Sequence, residues 1–90
     1  MDDEANAVVD TKSGLGLAEY GFETALVALK SGHKISRKGW NGPNQWLHIQ
    51  FPDASSKMTL PYVYIRTVQG GLVPWICSQT DMMANDWIIL

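Results

Sequence analysis

The sequence predicts an α+β fold in which one N-terminal helix packs on a small, mostly antiparallel sheet of about five strands. Two patterns indicate this fold. Apolar residues recur at helical spacing in the segment GFETALVALKSG, and later segments alternate apolar with polar residues or are rich in β-branched and aromatic residues, as strands are. The chain has 90 residues, which suits one domain. We divide it into a flexible acidic arm over residues 1–20 and one folded domain over residues 21–90.

The helix is predicted from four apolar residues that share one face: Phe22, Ala25, Leu26 and Leu29. Glu23 lies near the start of this segment and Lys30 near its end, which matches the polarity of the helix dipole. Gly32 follows as a residue at which helices commonly end. Because the helix has only about ten residues, packing must stabilise it more than its own propensity does.

Five segments after this helix have strand character: HKISRK, QWLHIQF, YVYIRTV, LVPWI and WIIL. The third and fourth are separated by the turn sequence QGG and are expected to form a hairpin. Pro74 has no backbone N–H, so the fourth strand is expected at an edge of the sheet or at a bulge. Ser78, followed three residues later by Asp81, resembles a capping box and predicts a short helical turn before the last strand.

Composition excludes several classes of function. The net charge of -2 argues against a protein that coats DNA or RNA, because such binding needs a basic excess. Cys77 is the single cysteine, so no intrachain disulfide forms, as is usual in a reducing cytosol. We find no run of about 20 apolar residues and no secretory signal. We therefore expect a cytoplasmic protein without a membrane partner.

The segment RKGWNG is the first candidate for ligand binding. Arg37 and Lys38 offer positive charge to a pyrophosphate, and Trp40 offers a flat ring on which a nucleobase can stack. The glycines allow a ligand to approach the backbone closely. We include the adjacent Asn41 in the candidate site. The alternative is that Trp40 covers the core and the two cations are only solvated.

Two segments near the C-terminus are the other candidates. Asp81 has a carboxylate that can accept hydrogen bonds from ribose hydroxyls. The alternative for this segment, favoured for Ser78, is a strand end followed by a helix cap. Asn85 can bind a base edge because its amide both donates and accepts. The alternative for Asn85 and Asp86 is an ordinary turn pair. Trp87, the next residue, is expected in the core.

The sequence offers few groups for catalysis or metal binding. His33 and His48 lie on different predicted strands and have no ligand spacing, and Cys77 lies in no nucleophile motif. Asp81 and Asp86 are five positions apart, which does not place them on one helix face. We therefore predict no catalytic residues, no metal ion and no cofactor.

Two longer segments, FETALVALKSGHKISRKGWNG and VPWICSQTDMMANDWIIL, resemble a family of small phage proteins that neutralise Thoeris immunity. The family pattern has a helix ending in K-x-G, then ARKGWNG and, after a variable middle, VPWxxSQTDxxAxDW. The two motifs agree in order and spacing from about Phe22 to the C-terminus. The chain departs from the family in its acidic arm and its short middle segment, which leaves the choice of ligand open.

The resemblance implies a sponge that binds, in the host cytoplasm, the cyclic ADP-ribose isomer made by the bacterial TIR sensor and does not cleave it. It also implies a homo-oligomer, expected as a tetramer, with ligand pockets where protomers meet. By position, Trp40 is expected to stack on the adenine. Hydrogen bonds to ribose or base are expected from Asp81, Asn85 and Asp86. Three alternatives stay open: a sponge for CBASS cyclic oligonucleotides, a small nucleotide-hydrolysing enzyme, and a structural protein-binding module.

Overall fold

A computed structural model describes residues 17–90 and has the predicted α+β architecture. In chain order, the helices and strands are α1 (Phe22–Lys30), β1 (Ile35–Arg37), β2 (Trp46–Gln50), β3 (Tyr62–Arg66), β4 (Leu72–Pro74), α2 (Gln79–Met83) and β5 (Trp87–Ile89). The single N-terminal helix and the five-stranded antiparallel sheet confirm the fold that was predicted from the two periodicities.

The strands form one sheet in the order β4-β3-β2-β1-β5, in which all neighbours are antiparallel. The first four strands follow one another across the sheet. The last strand does not extend this row, because the chain crosses back and β5 pairs with β1. Ile35 lies opposite Ile89, and Arg37 lies opposite Trp87. This return brings the C-terminal motif beside the RKGWNG loop.

The core lies between α1 and one face of the sheet. Its fully buried side chains come from the helix and three strands: Ala25, Leu29, Ile35, Leu47 and Trp87. The predicted core position of Trp87 is therefore confirmed. The Phe22 ring, at the start of α1, lies 5.3 Å from the Trp87 ring. Aromatic pairs at this distance add to the stability that apolar burial provides.

The helix α1 begins and ends as the sequence predicts. Glu23 lies in its first turn and Lys30 in its last turn. Gly32 follows with a φ of 101°, a left-handed conformation that glycine adopts without a steric penalty. The backbone N–H of His33 donates to the carbonyl of Ala28 over 3.0 Å, which satisfies one of the last carbonyls of the helix.

The strands β3 and β4 form the predicted hairpin, but β3 stops earlier than the sequence pattern suggests. Thr67 already belongs to the turn, since its N–H donates to Gly71 and its carbonyl accepts from Gly70. Gly70 has a φ of 95°, which explains the glycine in this turn. β4 is an edge strand that ends at Pro74, as predicted from the missing N–H of proline.

The predicted acidic arm over residues 1–20 lies mostly outside the described residues, which begin at residue 17. Of the arm, Glu19 forms an ion pair with Lys38 at 3.0 Å, and Tyr20 forms an antiparallel bridge with Trp87. The flexibility of the arm stays a prediction. In residues 17–90, no helix has the length and apolar character needed to cross a bilayer.

Candidate ligand-binding site

The two sequence motifs meet at one end of β1. Arg37, the last residue of β1, is paired across the sheet with Trp87, the first residue of β5. The backbone N–H of Lys38 then donates to the carbonyl of Asp86 over 3.0 Å. Because β1 and β5 are neighbours, the loop that follows β1 lies against the segment that precedes β5. That segment also carries Asp81.

The guanidinium of Arg37 binds two carboxylates. Its Nε donates to Asp86 Oδ1 over 2.8 Å, and its Nη1 donates to Asp81 Oδ1 over 2.8 Å. Its Nη2 lies 3.4 Å from Asp86 Oδ2. These side chains are largely buried, with exposed fractions of 16% for Arg37, 15% for Asp81 and 24% for Asp86. We call these three residues the Arg37 cluster; it holds one positive and two negative charges.

Trp40 is attached to the Arg37 cluster by its ring N–H. Its Nε1 donates to Asp81 Oδ1 over 3.0 Å, so one carboxylate oxygen accepts from both Trp40 and Arg37. The indole also packs in a T-shaped arrangement with Trp87, with ring centroids 5.4 Å apart. Trp40 is nevertheless only half buried. Trp40 packs against the core in part, as the alternative states, and the side chain is still partly accessible.

The position of Asp81 is fixed by the start of α2. Ser78 is the N-cap residue of this five-residue helix, and its Oγ accepts a hydrogen bond from the backbone N–H of Asp81 over 3.0 Å. The predicted capping turn is thereby confirmed. The carbonyl of Asp81 accepts from the ring N–H of Trp87 over 2.9 Å. The backbone of Asp81 is therefore held on both sides, which directs its carboxylate toward Arg37 and Trp40.

The Arg37 cluster shifts the pKa of each member toward its charged form. Burial acts to raise the pKa of Asp81, but hydrogen bonds from Trp40 and Arg37 outweigh it, and that pKa lies below the ordinary aspartate value. The hydrogen bond from Arg37 is the main cause that lowers the pKa of Asp86. Hydrogen bonds from Asp86 and Asp81 raise the pKa of Arg37. Both carboxylates are therefore ionised at neutral pH and act only as acceptors.

The other predicted site residues lie nearby on the surface. Lys38 has a side chain that is 65% exposed and is paired with Glu19. Asn41 is exposed, and its carbonyl accepts from the side chain of Gln45. Asn85 is exposed in the turn between α2 and β5. The structure thus joins Arg37, Trp40, Asp81 and Asp86 by direct contacts, while the side chains of Lys38, Asn41 and Asn85 lie on the surface outside this cluster. The ligand contacts assigned to all seven residues stay predictions.

The opposite face of the sheet has contacts and a cavity that were not predicted from the sequence. His48 pairs with Tyr64 across β2 and β3, and its ring nitrogens contact the Tyr64 hydroxyl and the Gly32 carbonyl, both at 3.1 Å. Lys34 Nζ lies 4.2 Å from the centroid of the Trp46 ring. A cavity of about 590 Å³ lies near strands β3 and β4 and the loop before β3. It is lined by Gln50, Met58, Thr59, Leu60, Pro61, Tyr62, Tyr64, Leu72, Val73 and Pro74. None of the predicted site residues lines this cavity.

Sequence reasoning missed the Arg37 cluster. It considered Asp81 and Asp86 as a pair on one helix face and rejected that pair because of the spacing. In the structure α2 ends at Met83, and the turn that follows brings the two carboxylates onto one guanidinium. A signal was available in the charges, since an arginine ends one strand and two aspartates precede another. Without knowledge of the strand order, the sequence did not show that the arginine and the two aspartates are close in space.

The fold and the site define a small α+β domain in which two loop motifs are joined by an arginine and two aspartates. A family model described as a Thoeris anti-defense 2-like domain matches residues 20–90, and the chain belongs to this family. A curated relative, Thoeris anti-defense 2 of Bacillus phage SP01, is 33% identical over 82 residues. The match covers 77% of this chain and 92% of that protein. Membership confirms the resemblance seen in the sequence and supports a phage anti-Thoeris function.

Proposed function

We propose that the protein is a sponge that binds a cyclic ADP-ribose-type signalling nucleotide and holds it without cleaving it, so that the signal does not reach the Thoeris effector. The placement of Trp40 is the main support for this proposal. Its ring N–H is bonded to Asp81, its indole packs in a T-shaped arrangement with Trp87, and the side chain stays half buried, so part of it reaches the surface. Stacking of a base on an aromatic ring contributes about 1–3 kcal/mol. A ring that is already fixed loses little further freedom on binding.

The charges around Trp40 favour one orientation of the nucleotide. The two ionised carboxylates of the Arg37 cluster attract hydroxyl donors and repel phosphates, because the cluster has a net negative charge. Lys38 is exposed, and its ion pair with Glu19 lies in solvent, where such pairs contribute little. We propose that the base stacks on Trp40, that ribose hydroxyls donate to Asp81 and Asp86, and that the phosphates lie toward Lys38. Asn41 and Asn85 then border the site.

The proposal includes self-association, with a tetramer as the expected state. A sponge that competes with an immune effector needs a dissociation constant near nanomolar, which corresponds to a binding free energy of about -12 kcal/mol. Small ligands are held this tightly in pockets that cover most of their surface. Part of Trp40 is exposed on a single chain, so we propose that a second copy closes the site over the bound nucleotide. The protein would act in this form in the host cytoplasm.

Retention followed by release tests the proposed mechanism. The protein is incubated with a cyclic ADP-ribose isomer, separated from free nucleotide and then heat-denatured, and the released material is identified by chromatography and mass spectrometry. A sponge releases the nucleotide intact. A nucleotide-hydrolysing enzyme would release products, and a structural protein-binding module would retain nothing. A parallel incubation with a CBASS cyclic oligonucleotide compares the two classes of signal.

Calorimetry of two tryptophan variants tests the assigned site. Trp40→Ala is expected to weaken binding about 5- to 150-fold, which corresponds to the loss of one stacking contact. Trp46→Ala is the matched control, because Trp46 lies on β2 and packs with His48 and Tyr64 on the opposite face of the sheet. The control is expected to bind like the wild type. Equal affinity of Trp40→Ala and the wild type would contradict the stacking role.

A further inference from the structure

The hydrogen bonds of Arg37 differ from those expected of an arginine that is free to bind a phosphate. All three of its guanidinium nitrogens already face carboxylate oxygens of Asp81 and Asp86, at 2.8, 2.8 and 3.4 Å. Only 16% of its side chain is exposed. A phosphate would have to displace at least one of two carboxylates that are themselves largely buried. The guanidinium is therefore poorly available to a ligand.

The same two carboxylates bind the loop that carries Trp40. Asp81 Oδ1 accepts from Trp40 Nε1 over 3.0 Å, and Asp86 Oδ2 accepts from the backbone N–H of Gly39 over 2.8 Å. A methyl group added at Gly39 would lie 2.7 Å from Asp86 Oδ2, so the loop backbone is pressed against this carboxylate. Arg37 thus orients the two acceptors that in turn hold consecutive residues of the loop.

We propose that Arg37 is a positioning residue, which sets the orientation of the Trp40 ring through Asp81 and the path of its loop through Asp86. The planar, forked guanidinium is suited to this task, since it can bond two carboxylates at fixed angles while a lysine ammonium cannot. The value of this arrangement for binding rests on the proposed function, in which Trp40 stacks on the base. Its effect on the ring itself does not depend on any ligand.

Nuclear magnetic resonance of the indole N–H groups tests the proposal directly. The chain has four tryptophans, so a ¹⁵N-labelled sample gives four indole signals. The Trp40 signal is assigned with the Trp40→Phe variant. In Arg37→Gln, we expect the Trp40 signal to move and the Trp46 signal to stay. We also expect the affinity for a cyclic ADP-ribose isomer to fall about tenfold or more, as for the loss of one hydrogen bond to a charged group.

Two further variants complete the experiment. Lys57→Gln removes the same charge from an exposed position in the loop before β3, and it is expected to leave the Trp40 signal and the affinity unchanged. Arg37→Lys keeps the charge but not the fork. We expect it to move the Trp40 signal as well, and it replaces Arg37→Gln as the test if that variant does not fold by circular dichroism.

Each outcome decides between positioning and direct contact. A loss of affinity with an unmoved Trp40 signal would overturn the proposal, because Arg37 would then contact the ligand itself. A moved signal with unchanged affinity would overturn the claim that the ring orientation matters for binding. If the wild type binds no nucleotide at all, the proposed function fails, and the Trp40 signal alone then supports or overturns the positioning role.

Discussion

Replacement of Asp81 by Asn removes one charge from the Arg37 cluster and keeps the shape of the side chain. Asp81 Oδ1 accepts hydrogen bonds from Arg37 at 2.8 Å and from Trp40 at 3.0 Å. In the variant, a neutral amide oxygen accepts more weakly, and the amide NH₂ has no acceptor on the guanidinium. A hydrogen bond to a charged group contributes about 1.5–3 kcal/mol. We expect the free energy of unfolding to fall by about 2 kcal/mol.

This loss is large for a domain of this size. Domains are stabilised by roughly 0.05–0.15 kcal/mol per residue, which is about 5–13 kcal/mol for this chain. One kcal/mol lowers the melting temperature of such a domain by about 4–8 °C. Asp81→Asn is therefore expected to melt about 8–16 °C below the wild type. Thermal and urea unfolding, followed by circular dichroism, measure both quantities.

Glu19→Gln is the matched control for Asp81→Asn. It also converts a carboxylate that pairs with a cation into an amide, but the pair with Lys38 is exposed, at 65% for Lys38 and 37% for Glu19. Exposed ion pairs contribute about 0–1 kcal/mol. We expect the control to change the free energy of unfolding by less than about 0.5 kcal/mol. Equal losses in the two variants would refute the reasoning, because burial and shared bonding would then not distinguish the two carboxylates.

The pH dependence of stability gives an independent check on the same cluster. Folding lowers the pKa of both Asp81 and Asp86. Their contribution to stability is therefore full above the ordinary aspartate pKa of about 3.9 and is lost as the pH falls through the lower folded values. We expect Asp81→Asn to lose less stability than the wild type between about pH 5 and pH 2. Parallel curves of stability against pH for Asp81→Asn and the wild type would contradict the ion pair between Arg37 and Asp81.

Three further variants test the fold around the site. Leu47→Ala removes a fully buried side chain and should lower the free energy of unfolding in urea by about 2–5 kcal/mol. Leu60→Ala, at a residue that is 74% exposed, should lower it little, and similar losses in the two variants would contradict the described core. Ser78→Ala removes the acceptor at the start of α2 and should cost about 0.5–2 kcal/mol, and an unchanged melting temperature would show that the cap contributes nothing. Gly42→Ala should lower the free energy of unfolding by more than about 1 kcal/mol, because φ at Gly42 is 93° and the added methyl would lie 2.6 Å from the Val68 side chain. An unchanged free energy of unfolding would contradict this loop geometry.

The sequence by itself determined the local structure of this protein. The helix over Phe22–Lys30 follows from apolar residues that repeat with the helical period, and β2 follows from strict alternation around Leu47. Gly32 ends the helix and Pro74 limits β4 to an edge, since each residue acts through its own backbone. These features are predictable because their causes lie within a few positions along the chain. The family resemblance was also readable, since both motifs lie within short segments.

Only the tertiary structure decided how the candidate site is built. Arg37 is separated by 44 residues from Asp81 and by 49 from Asp86, and the opposite charges alone did not show which of these residues touch. They meet because β5 returns to pair with β1 and α2 ends before the turn that carries Asp86. Electrostatic attraction depends on distance in space, and that distance is set by the order of strands in the sheet. The sequence therefore suggested the residues of the candidate site, and the fold determined which of them bind one another.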